Sequence, residues 1–218
     1  MTKLFMARFL IIAIFLSCNC TAGVTILGSR FIIDDHTKRL KISIKNDDEG
    51  DALIKTNVYC KNKNEIIALP PLFVLAKNTA NIITLIPNLV EKNNQDQLCK
   101  LSIAAIPKSP IAKNSAVFLA VRSNLHLIYR HDQLKNANFA QLTLIKKADN
   151  QFYLSNNTDF VLSLIISLAK ESESYLKKTL PPGESMPASL CQTSPCNLSI
   201  SVIGDDESIM KKINLSAL

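Results

Sequence analysis

SAVFLAVRSNLHLIYR, residues Ser115–Arg130, alternates for longer than any other part of the chain. At period two, Val117, Leu119, Val121, Leu125, Leu127 and Tyr129 share one face, interrupted only by Ser123. Phe118, Ala120, Arg122, Asn124, His126, Ile128 and Arg130 share the other. Alternation sustained this far predicts a strand well beyond the usual length of about 5–6 residues. Such a strand is either a central strand buried by its own sheet or an edge whose side chains serve another chain.

Working outward, the flanks carry the same signature. Thr25–Ile33 is apolar and β-branched, Leu40–Ile44 alternates cleanly, and Ala52–Cys60, Ile66–Leu69, Leu72–Leu75, Asn81–Ile86 and Leu98–Ile106 follow. The connections are polar, as at Asp34-Asp35-His36, Lys45–Gly50 and Lys61–Asn64. Beyond the polar connection His131–Asn138 the style repeats in Ala140–Ile145, Phe152–Leu154, Phe160–Leu168 and Leu198–Ile203. Leu162–Lys177 also contains helix formers, but Val161, Ile165 and Ile166 favour a strand to Ala169. Short strands with polar turns and little helical periodicity predict an all-β chain of antiparallel sandwiches.

At the N-terminus, Lys3 and Arg8 precede the apolar run Phe9–Leu16 and the small-residue end Cys20-Thr21-Ala22. This predicts a secretory signal, residues 1–22, cleaved after Ala22. A lipoprotein signal at Cys18 would need leucine three residues earlier, where Phe15 stands. The apolar run is too short for a permanent membrane span. Losing Lys3 and Arg8 lowers the formal charge from +7 to +5. The remaining cations are scattered and form no aromatic-interleaved stripe, so nucleic acid is not the indicated partner.

Four cysteines then remain, Cys60, Cys99, Cys191 and Cys196, and an even count in an exported chain suggests disulfides. Cys191-Gln-Thr-Ser-Pro-Cys196 closes a small loop suited to a hairpin, which leaves Cys60 and Cys99 to pair across two strands. A metal site is the weaker alternative, because neither pair has zinc-knuckle spacing or a nearby histidine. His36, His126 and His131 have no catalytic companions, and there is no GxSxG, P-loop, GxGxxG or HExxH. The acidic clusters Asp47-Asp48-Glu49 and Asp205-Asp206-Glu207 read as solvated turns. Neither an enzyme nor a cofactor is indicated. Arg30 is the exception to a bland surface: it interrupts an apolar run, where it either snorkels to water or meets an anion in a groove.

Together these pieces resemble the periplasmic pilus chaperones of the PapD type. The resemblance runs from Gly23 to the C-terminus. It is carried by GSRFIIDD at Gly28–Asp35, LKISIKNDD at Leu40–Asp48, LPP at Leu69–Pro71, LCKLSIAAIP at Leu98–Pro107 and LIYR at Leu127–Arg130. SNNTDF at Ser155–Phe160 and TLPPGES at Thr179–Ser185 continue it. It implies two immunoglobulin-like domains, residues 23–131 and 132–218, set at an angle around a cleft. It also implies donor-strand complementation of a pilus or fimbrial subunit in the periplasm and delivery to an outer-membrane usher.

Under this resemblance Val117, Leu119 and Val121 fill the subunit groove, and Arg30 binds the subunit's C-terminal carboxylate. The family's second anchor, a lysine, is replaced by His126. Asp96, Arg130 and Asp205 match the interdomain salt bridge, and Pro70 matches a position that can follow a cis bond. His126 lies on the face opposite Val121, so a bulge or strong twist near Ser123-Asn124 is expected. Lys77-Asn78 stands where the family has Pro-Gly. The short Pro107–Ser115 loop groups the chain with chaperones of adhesive rods. The rival reading is a secreted tandem sandwich acting as an adhesin or pilus subunit. It is disfavoured because the mature chain enters its first strand without an alternating apolar extension.

Overall fold

The computed structural model describes residues 23–34, 36–61, 65–88, 94–108, 119–147, 151–169, 171–191 and 194–217. The expected signal segment, Val117 and most of the Pro107–Ser115 loop lie outside the described residues.

In chain order the strands are β1 (Val24–Ile26), β2 (Arg30–Asp34), β3 (Leu40–Asn46), β4 (Ala52–Cys60), β5 (Glu65–Leu69), β6 (Leu72–Leu75), β7 (Ala80–Asn88), β8 (Gln97–Pro107) and β9 (Val121–Arg130). Two short 3-10 turns, Leu134–Asn136 and Phe139–Gln141, precede β10 (Leu142–Lys146), β11 (Phe152–Asn156), β12 (Leu162–Leu168), β13 (Glu171–Leu180), β14 (Ser185–Pro187), β15 (Cys196–Ile203) and β16 (Ile209–Ala217).

These strands build two successive sandwiches. In the first, the sheet β1-β3-β7-β5 faces the sheet β2-β9-β8-β4-β6. In the second, β10-β11-β14 faces β13-β12-β15-β16. Alternation places Ile42 and Ile44, Ile54, Leu101 and Ile103, and Leu127 and Tyr129 in one core. Leu154, Leu162 and Leu164, and Leu198, Ile200 and Val202 lie in a separate second core. Each such side chain contributes about 1.5–3 kcal/mol by leaving water.

The apolar run Thr25–Ile33 is not one strand. It breaks at Gly28, where φ is +112° and a Cβ would lie 2.8 Å from the Phe31 ring. Only glycine suits both conditions. The break lets β1 pair antiparallel with β3, while β2 crosses to the other sheet and runs parallel to β9. Asn78, in the turn that lacks Pro-Gly, adopts φ +55°, a conformation asparagine tolerates. The Leu69–Pro70 bond is cis.

Matching buried asparagines close one turn in each sandwich. Asn46, at the end of β3, donates its amide to the Gly50 and Leu75 carbonyls at 2.8 and 3.2 Å. Asn156, at the end of β11, donates to the Phe160 and Leu180 carbonyls at 2.8 and 2.9 Å. Both side chains are fully buried, so each supplies donors that backbone acceptors would otherwise lack.

Strands β13, β14 and β16 were not apparent in the sequence, and β12 is a strand rather than the start of a helix. Cys60 and Cys99 lie opposite each other on β4 and β8 and are disulfide-bonded, with Cα atoms 4.4 Å apart. Cys191 and Cys196 are also bonded. Their loop is not a hairpin: it carries the chain from β14 in one sheet to β15 in the other. Among the described residues, no cluster of His, Cys, Asp or Glu could hold a metal, and no helix is long and apolar enough to cross a membrane.

Candidate functional site: an open strand border ending in a basic cleft

Strand β9 pairs with β8 from Val121 to Tyr129, in unbroken antiparallel register. On its other side β2 covers it only from His126 to Arg130. The border of residues 121–125 therefore has no strand partner among the described residues. Leu119 and Val121 are 76% and 61% exposed. Further along the same face, Leu125, Leu127 and Tyr129 turn into the first core. The described strand is shorter than Ser115–Arg130, and it contains no bulge at Ser123-Asn124. Near Val121 both faces meet solvent, so regular alternation carries no burial conflict there.

Arg30 is the first residue of β2 and stands opposite His126 in the parallel register. Both line a cleft of about 690 Å³ between the sandwiches, with Ser29, Lys177, Thr179 and Glu207 among the other lining residues. Arg30 Nη2 donates to the Gly204 carbonyl in the second sandwich. His126 Nδ1 lies 3.0 Å from the Thr179 hydroxyl, a contact that sequence reading had no means to find. Partial burial pushes the His126 pKa below the ordinary value near 6.5, and the Arg30 charge pushes it the same way. The imidazole is therefore neutral at pH 7 in the free protein. An NMR titration of its ring protons should show a midpoint below 6.5, moving upward in Arg30→Ala. A wild-type midpoint at or above 6.5 would contradict this.

Behind the cleft the sandwiches are joined by a buried ionic knot. The Asp96 carboxylate, fully buried, pairs with Arg130 Nη1 and accepts from the backbone N–H groups of His131 and Val161 at 3.0 and 2.9 Å. His131 Nδ1 sits 2.9 Å from the same carboxylate. Arg130 reaches Asp205 through Nη2 at 2.7 Å and through Nε at 3.2 Å, and also donates to the Val161 carbonyl at 2.8 Å. Arg130 thus bridges Asp96 and Asp205, gripping each carboxylate with a different part of its guanidinium. Their partners His131 and Val161 were not singled out from the sequence, although His131 adjoins Arg130 in the chain. A rim pair, Lys61–Glu184 at 2.6 Å, spans the same junction.

The family model of the pili and flagellar-assembly chaperones, PapD N-terminal domain, matches residues 23–135. The chain belongs to that chaperone family. Solved structures agree on the fold over nearly the whole chain. A chain of the Salmonella enterica SafA pilin–SafB chaperone complex superposes with a TM-score of 0.73 at 18% identity, covering 92% of this chain and 99% of that one. The E. coli chaperone DraB gives 0.68 at 18% identity, covering 90% and 96%. A chain of the Acinetobacter baumannii CsuC–CsuE chaperone–tip adhesion subunit complex gives 0.68 at 13%, covering 89% and 98%. No curated protein matches in sequence. As a PapD-type chaperone, the chain has the two tandem sandwiches that its alternation predicts.

Proposed function

We propose that this protein is a periplasmic, non-enzymatic chaperone. In this reading it stabilises a pilus or fimbrial subunit by lending the border of β9, then delivers it to an outer-membrane usher. The observation that carries the reading is the unpartnered border at residues 121–125, which runs into a cleft headed by Arg30. Main-chain groups of the border would bond a subunit strand that lacks its neighbour. The exposed Leu119 and Val121, with Val117 upstream, would fill the subunit's apolar groove. A strand running parallel to β9 would bring its C-terminal carboxylate to the Arg30 guanidinium, which suits a charge-assisted and bidentate contact. His126, neutral in the free protein, would stand beside that carboxylate as a hydrogen-bonding group.

Co-expression with the subunit tests this. Arg30→Ala should fold normally and weaken the complex by about tenfold to a hundredfold, the range for a lost charged hydrogen bond. Undiminished co-purification would remove Arg30 from the site.

A further inference from the structure

The second wall of the cleft is formed by β12 and by β13, an edge strand of its sheet. Side chains two apart on a strand share a face. The Thr179 hydroxyl meets His126 across the cleft, so the face of β13 bearing Thr179 looks toward the first sandwich. Lys177 lies two residues back on that face, opposite Ile165, and both line the cleft. Lys178 lines it too, but shares its face with Leu164, a residue of the second core. Lys177 is exposed, its Nζ lies 5.9 Å from the Tyr175 ring centroid, and it makes no ion pair among the described residues. On the same wall, the buried Ser163 hydroxyl has no hydrogen-bond partner.

The cleft is therefore lined by the cations Arg30, Lys177 and Lys178 against one carboxylate, Glu207. That imbalance favours an anionic occupant. In the free protein His126 adds no second positive charge there: partial burial and the Arg30 charge lower its pKa, and the Thr179 hydroxyl lies 3.0 Å from its Nδ1.

We propose that Lys177 is the second cation of the cleft. It grips the subunit's C-terminal carboxylate from the second sandwich while Arg30 grips it from the first, and the Ser163 hydroxyl is a neutral donor on the Lys177 wall. This rests on the strand-lending reading above and adds that both sandwiches hold the chain end.

The probe is a synthetic peptide of the subunit's C-terminal strand, prepared as free acid and as C-terminal amide and titrated calorimetrically into the full-length mature chaperone. Wild type should prefer the acid. Lys177→Ala should weaken acid binding about tenfold, leave amide binding unchanged and reduce the salt dependence. Lys177→Arg should restore most of the loss. If Arg30→Ala abolishes the acid preference while Lys177→Ala keeps it, the assignment of Lys177 falls and the strand-lending reading stands. If wild type binds neither peptide, both fall.

Discussion

Asp96→Ala should lower folding stability by about 3–5 kcal/mol, the range for removing one partner from a buried ion pair. Arg130, whose side chain is 3% exposed, would keep Asp205 but lose the carboxylate it shares with the second sandwich. The N–H groups of His131 and Val161 would lose their acceptor at the same time. Denaturant unfolding should split into two transitions as the sandwiches uncouple. Asp205→Ala should cost only about 0–1 kcal/mol, because its carboxylate is 36% exposed and water replaces the contact. A loss below about 1 kcal/mol for Asp96→Ala would mean that the knot contributes nothing net.

The combined substitution Leu119→Glu and Val121→Glu should leave the melting curve of the free protein unchanged, since both side chains stand mostly in solvent. In the proposed complex these side chains enter an apolar groove, where each contributes about 1.5–3 kcal/mol before ordering costs. Replacing them with carboxylates also imposes the cost of burying unpaired charge. Subunit affinity should fall at least about a hundredfold. Retained affinity would show that the exposed part of β9 is not the contact surface.

Strands with one face in a core were legible: Leu40–Asn46, Ala52–Cys60 and Gln97–Pro107 were expected to within two residues at each end. The misses have a common cause. β13 and β16 are the two edges of their sheet, and the exposed positions of β16 outnumber its partly buried ones. Such edges bury little and show no apolar period to read. The break at Gly28 was hidden by apolar residues on both sides, where backbone sterics outweigh composition. Arg30 was visible as a charge inside an apolar run. Asp96, Arg130 and Asp205 were visible only through the family resemblance, because nothing in their spacing brings them together. Thr179, Lys177 and the Gly204 carbonyl reach the cleft by the docking of one sandwich on the other, which no local pattern encodes.

The parallel seat of β2 on β9 has a consequence for selectivity. From Arg30 onward, the lane beside β9 is occupied by the protein's own backbone. In the proposed complex a guest travelling down that lane must halt at residue 30, so extra residues beyond its final strand would collide with β2 or prise it off. The protein would then act as a gauge of where a polypeptide stops, admitting true termini and turning away internal segments of the same composition.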